Sequence, residues 1–338
     1  MRPLKPISEQ VVVITGASSG IGLAAARKFG NRGARVVLAA RDGGELSEIA
    51  REIRERGGDA VACPTDVARF EEVEALGRAA VEHYGRIDTW VNDAAVAVYA
   101  RAQDIPIDEF RRIMDVDFFG QVYGVRVALP HISRQGAGAI ICVGSVESER
   151  ALPLHAAYSA AKHALKGFVD ALRVELQHDG SEVQLTLIKP SSVNTPFFDH
   201  ALTRTGKRPR PIAPVYSPAL VADAIVHCAE HRRRDLVIGG GGAFLTAMDT
   251  VAAPLVDRVL ARRGIEAQQA EEERSPEAPN NLYAPVDGHY RERGDFPERR
   301  FSIYTWMRMH PRATAGLAAT AGALGVAARR RDRRRGGR

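Results

Sequence analysis

Short apolar runs alternate with amphipathic stretches along the first 240 residues. Val11 to Ile14, Arg35 to Ala40, Ala60 to Cys63, Ile87 to Asn92, Ala139 to Val143, Val183 to Ile188 and Leu236 to Gly240 each read as a buried strand. Between them, the stretch ending at Gly33, then Gly43 to Arg56, Ala68 to Tyr84, Ile107 to His131 and Ala156 to His178 carry helical patterns. Strands alternating with helices imply an α/β fold of Rossmann type. Its core is a doubly wound parallel sheet of seven strands with helices on both faces. Ligands of such sheets bind outside the carboxyl ends of the strands.

The pattern changes after Gly242. Ala243 to Arg263 reads as a helix interrupted at Pro254, suited to cover a pocket or a neighbouring subunit, and residues 1–263 read as one domain. Residues 264–312 are charged and Pro-rich and read as a flexible linker. Residues 313–338 form an Ala/Gly-rich segment with an Arg-rich tail. Ala313 to Ala328 is too short for a membrane span. An interfacial helix anchored on anionic lipid and a solvated tail both fit it.

Charge sharpens that division. The net charge is +6, and Arg329 to Arg338 holds seven Arg and one Asp, so 7 − 1 = +6 sits in the tail. The balanced remainder gives no basic face for nucleic acid. Three scattered cysteines, Cys63, Cys142 and Cys228, suit reduced thiols in the cytoplasm and give no metal spacing.

Two stretches carry candidate chemistry. Thr15 to Gly22, TGASSGIG, lies between a strand and a helix. Its glycines allow a tight turn, and the helix N-terminus offers N–H groups to a pyrophosphate. Arg41 ends the second strand, where a basic residue suits the 2′-phosphate of NADP, although a solvated turn residue reads the same way. The second stretch places Ser145 at a strand end and Tyr158 and Lys162 four residues apart on one helix face. A cation beside a phenol favours phenolate, so the set suits proton transfer to or from an alcohol or carbonyl.

In order and spacing, TGASSGIG, Asp66-Val67, Asn92-Asp93-Ala94-Ala95, Ser145, Tyr158, Lys162 and Lys189-Pro190 leading to Thr195 resemble the short-chain dehydrogenase/reductase family over about residues 10 to 240. The resemblance implies that Tyr158 is the acid/base, that Lys162 tunes it and holds the nicotinamide ribose, and that Ser145 polarises the substrate oxygen. It implies cofactor contacts at Gly16, Ser18, Ser19, Gly20, Ile21, Gly22, Asp66, Val67, Asn92, Ala94, Val193 and Thr195. It also implies a homodimer or homotetramer acting on a small-molecule carbonyl or alcohol. Three departures stand out: Ala95 for the family's Gly, Asp117 for its proton-relay Asn, and Ser191 for the Gly after Pro190. Asp117 puts an extra carboxylate near the relay.

The proline-rich segment Pro196 to Pro218 reads as a loop or lid over the substrate pocket. Phe197, Phe198, Leu152, Leu154 and His155 are candidate pocket residues, and the paired aromatics suit an apolar substrate. The reading is an NADP(H)-preferring oxidoreductase, with NADP(H) favoured over NAD(H). The alternative is a cofactor-binding regulatory or scaffold protein with catalysis weakened at Asp117.

Overall fold

The computed structural model describes residues 2–286 and 290–315. From the N-terminus, β1 (Val11–Thr15), α1 (Gly20–Asn31), β2 (Arg35–Ala40), α2 (Gly43–Glu55), β3 (Asp59–Pro64), α3 (Phe70–Tyr84) and β4 (Thr89–Asn92) alternate as expected. A short strand β5 (Val98–Tyr99) precedes α4 (Ile107–Met114), a π-helical turn (Asp115–Phe119) and α5 (Gly120–Gln135). Next come β6 (Gly138–Val143), α6 (Ala156–His178), β7 (Val183–Pro190), α7 (Phe197–His200), β8 (Leu202–Thr203) and β9 (Lys207–Pro209). The chain continues through α8 (Pro218–Glu230), β10 (Asp235–Ile238), α9 (Gly240–Arg263), β11 (Gln269–Glu273) and α10 (Ile303–Met309).

The seven long strands form one parallel sheet in the order β3-β2-β1-β4-β6-β7-β10. Winding reverses between β1 and β4, which opens a crevice at their carboxyl ends. Both faces are covered, so the strands are apolar throughout rather than alternating. Val12 and Ile14 pack with α1, α2 and α8, while Val13 packs with α3, α5 and α6. Burying each such side chain contributes roughly 1.5–3 kcal/mol.

Three stretches differ from the sequence expectation. The helix expected over 107–131 is two helices joined by the π turn and running on to Gln135. α9 begins at Gly240 and breaks at Ala252 (φ −145°, ψ 49°), because the Pro254 ring clashes with the preceding turn. The largest difference lies in residues 264–312, expected to be a flexible linker. Their described part packs on the domain as a strap: β11 pairs antiparallel with β9. Farther along, the strap buries Leu282 and sets Phe296 against Phe198 at 5.8 Å. Its α10 docks where Gly239 N–H donates to Thr305 Oγ1 at 2.9 Å.

Among the described residues no helix is long and apolar enough to cross a membrane. The Arg cluster and nearly all of Ala313 to Ala328 lie outside the described residues.

Candidate active site

The glycine-rich turn closes against the end of β4. Gly16 has φ +74°, and a Cβ there would sit 2.8 Å from the Ala94 backbone nitrogen, so both conformation and space call for glycine. Ser18, Ser19, Gly20 and Ile21 face the cleft, while Gly22 lies behind them in the first turn of α1. Thr195 and Val193, after β7, form the opposite wall. Ala95 is tolerated because its φ is not positive.

Arg41, Asp66, Val67 and Ala94 line the far end of the same cleft. Asp66 is held by Arg112 at 2.9 Å. The Arg41 guanidinium donates to the Asn281 carbonyl at 2.6 Å. Its Nη1 is buried with no partner among the described residues. Burial lowers the Arg41 pKa from its usual range, with Asp66 opposing that shift and Arg112 adding to it. This arrangement fits a phosphate: a half-buried cation with an unpartnered N–H beside a second arginine.

Asn92 takes a different place from the one expected. Its Oδ1 accepts from Trp90 Nε1 at 2.8 Å and its Nδ2 reaches the Gln121 carbonyl at 3.3 Å. The side chain is a buried strut between β4 and α5, not part of the cleft wall.

Ser145, Tyr158 and Lys162 converge at the centre of the cleft. The Ser145 hydroxyl is within hydrogen-bonding reach of Tyr158, and Lys162 Nζ lies 5.2 Å from the Tyr158 ring centre. Lys162 Nζ also donates to the Val143 carbonyl at 3.4 Å and pairs with Asp117 Oδ2 at 3.4 Å. Asp117 Oδ1 accepts from Val96 N–H at 2.8 Å. Asp117 is fully buried, which raises its pKa to about 6 against the help of Lys162 and Val96.

The net direction at Tyr158 is upward, whereas the resemblance implies a lowered pKa. Burial holds the phenol well above its usual range, and Glu147, Asp117 and Asp93 push it the same way. Asp117 already answers the lysine charge, so the resting Tyr158 is a phenol, able to donate a proton.

Asp93 and Glu147 were not singled out from sequence. Asp93 lines the cleft beside the Gly22 N–H, and burial raises it to about 7, opposed by Lys162. Glu147 is buried two residues after Ser145, in the same short turn. That proximity was the available signal. Arg112 and the strap's Asn281 gave none, because each acts through the tertiary fold.

On the substrate side, Phe197, Phe198, His155 and Leu152 line the cleft. Leu154 does not; it packs with Ala97, Tyr99 and Phe198, in a left-handed conformation (φ +68°). Ser191 Oγ joins the end of β7 to α9, accepting from Gly242 N–H at 3.1 Å and reaching the Gly239 carbonyl at 3.3 Å.

Known proteins share this frame. The family model described as short chain dehydrogenase matches residues 10–205. The uncharacterized oxidoreductase YxnA of Bacillus subtilis (strain 168) is 37% identical over 333 residues, covering 98% of this chain and 93% of its own. An alcohol dehydrogenase from the archaeon Thermococcus sibiricus, solved with 5-hydroxy-NADP, is 27% identical with a TM-score of 0.60, covering 68% of this chain and 95% of that one. A 7α-hydroxysteroid dehydrogenase solved with NADH and 7-oxo glycochenodeoxycholic acid is 25% identical with a TM-score of 0.62, covering 69% and 94%. The chain belongs to the short-chain dehydrogenase/reductase family of oxidoreductases.

Proposed function

We propose that this oxidoreductase interconverts an alcohol with its ketone or aldehyde, prefers NADP(H) over NAD(H), and uses Tyr158 as acid/base. The observation that carries the chemistry is the convergence of the Tyr158 phenol, Ser145 and Lys162 beside the glycine-rich turn. When bound, the nicotinamide supplies or takes the hydride. Tyr158 holds the proton at Oη, and Ser145 Oγ–H donates to the same substrate oxygen. A protonated resting Tyr158 suits carbonyl reduction, in which the phenol is the donor. Lys162 holds the nicotinamide ribose, and Asp117 tempers its charge. That ion pair also favours the second reading, a cofactor-binding regulator with slowed turnover.

The cofactor preference rests on Arg41, whose buried Nη1 has no partner among the described residues. Of the two solved structures named above, one holds an NADP derivative and the other NADH. Titrating NADPH and NADH against the protein, followed by nicotinamide fluorescence, tests the preference. NADPH binds more tightly, and Arg41→Ala removes roughly tenfold or more of that advantage. Equal affinities in the wild type overturn it.

Three free cysteines support a cytoplasmic setting. An exposed apolar stripe on α9, Phe244, Val251, Leu255 and Val259, supports a homodimer or homotetramer, which light scattering tests. Attachment to an anionic membrane surface rests on the sequence of 313–338 alone, and loss of vesicle binding on its deletion is the test.

A further inference from the structure

The substrate side of the cleft carries polar groups that the proton-transfer cluster does not use. His155 is 4% exposed and Tyr99 1% exposed, and their rings meet edge to face with centres 4.1 Å apart. His155 Nδ1 lies 2.9 Å from Glu147 Oε1. A carboxylate accepts, so Nδ1 carries the proton and donates. The other Glu147 oxygen accepts from the Ser159 hydroxyl at 2.6 Å, which fixes the carboxylate. His155 Nε2 is therefore an acceptor in the neutral ring.

Both His155 Nε2 and Tyr99 Oη are buried without a hydrogen-bond partner among the described residues, and both residues line the cleft. A buried polar group left unpaired costs about 1–3 kcal/mol. Two such atoms on touching rings of the cleft wall suit a ligand oxygen. The His155 and Tyr158 ring centres are 5.6 Å apart, so that oxygen lies close to the reacting one.

A hydroxyl complements the pair: it donates to Nε2 and accepts from the Tyr99 phenol. An anion does not suit the site, because Asp93, Asp117 and Glu147 share the neighbourhood of Tyr158. Phe197 and Phe198 complete the wall with apolar surface.

We propose that His155 Nε2 and Tyr99 Oη form a second oxygen subsite, so that the substrates are uncharged ketones carrying a hydroxyl on an adjacent or next carbon, and diols in the reverse direction. Glu147 is a positioning residue that holds His155 in the accepting tautomer. This inference rests on the carbonyl/alcohol reading above.

Matched ketone pairs test it: cyclohexanone against its α-hydroxy derivative, and acetophenone against its α-hydroxy derivative, each with NADPH. The wild type favours the hydroxylated partner in kcat/KM by about 10- to 100-fold. Tyr99→Phe and His155→Asn each narrow that ratio, by lowering the hydroxylated partner more. Asn at 155 still donates to Glu147 but has nothing in the place of Nε2. Glu147→Gln raises KM for the hydroxylated partner more than it lowers kcat.

A wild-type ratio near one, or variants that lower both partners equally, overturns the subsite. If no pair is reduced, the carbonyl/alcohol reading has failed. The subsite is then judged by calorimetric titration of cyclohexane-diol into the NADPH-saturated wild type and Tyr99→Phe. Binding weakened severalfold in the variant supports it, and equal or absent binding overturns it.

Discussion

The sheet buries Val12, Val13 and Ile14 completely, whereas the strap, described over 264–286 and 290–315, meets the cleft through Gln268, Asn281, Pro285 and Val286. Sheet cohesion comes from apolar side chains on two covered faces. The strap is fastened by backbone carbonyls as well as by the buried Leu282 and the Phe296–Phe198 contact. Asn281, Leu282 and Arg291 accept from Arg41, Arg112 and the Gly20 N–H at 2.6, 2.9 and 3.0 Å. Ion pairs join Arg27 to Glu292 at 2.8 Å and Arg291 to Asp199 at 2.9 Å. A segment with no hydrophobic periodicity can thus be ordered when its partners are the polar residues of a functional edge. The difference predicts separable behaviour: the sheet governs whether the protein folds and reacts, the strap how firmly it keeps the nucleotide.

The largest expected effect lies on the sheet side. Tyr158→Phe lowers turnover by about a hundred- to ten-thousandfold while NADPH titration is unchanged. Retained turnover would remove Tyr158 from the chemistry and favour the regulatory reading. Next is the strap. A chain ending at Arg263 keeps the far-ultraviolet dichroism of the sheet domain but releases NADPH faster by about tenfold or more, measured by stopped-flow fluorescence. An unchanged release rate would reduce the strap to decoration.

Third is the packing of the sheet itself. A Cβ on Gly124 would lie 2.1 Å from Asn92 Oδ1 and 2.7 Å from Trp90 Nε1. Gly124→Ala therefore costs about 1–3 kcal/mol in denaturant unfolding. The smallest effect is electrostatic. Asp93 is raised from 3.8 to about 7, chiefly by burial. Stability from its neutral form is complete below its ordinary pKa and lost as pH rises through the folded value. The Tm advantage of Asp93→Asn over the wild type is thus fully developed near about pH 8, smaller near about pH 5 and absent below the ordinary carboxylate pKa. In the same range the ionised Asp93 repels the nucleotide phosphates. Wild-type NADPH affinity accordingly falls severalfold as pH rises through 7, and the variant's stays flat. Parallel profiles would place Asp93 outside the cofactor's field.

What the sequence made legible follows the same division. Periodicity shows the strands, and Gly16, Ser145, Tyr158 and Lys162 sit in the cleft as their spacing implies. Arg41 also lies there, but its carbonyl partner comes from residue 281, which no local pattern connects to residue 41. Asn92 was misplaced because a strand-end amide can turn to either face, and the Trp90 indole decided which. Tyr99 gives no local signal, and even Glu147, two residues from Ser145, takes its role only where β5 and the turn after β6 meet α6. The upward direction of the Tyr158 pKa was not legible because it comes first from burial and then from three carboxylates brought in by separate segments.

The π turn at Asp115–Phe119 has a consequence for rotational phase. A π turn spans one more residue per hydrogen bond than an α turn, and each residue advances a helix by about 100°. The turn therefore sets the angular offset of α5 from α4. With that offset, Asp117 points at Lys162, and Gln121 Nε2 reaches the Val143 carbonyl at 2.9 Å. Gly124, rather than a bulkier neighbour, meets Asn92 and Trp90. Deleting a single residue there would turn α5 like a key in its lock. The edge facing β4 would change identity while every strand kept its register.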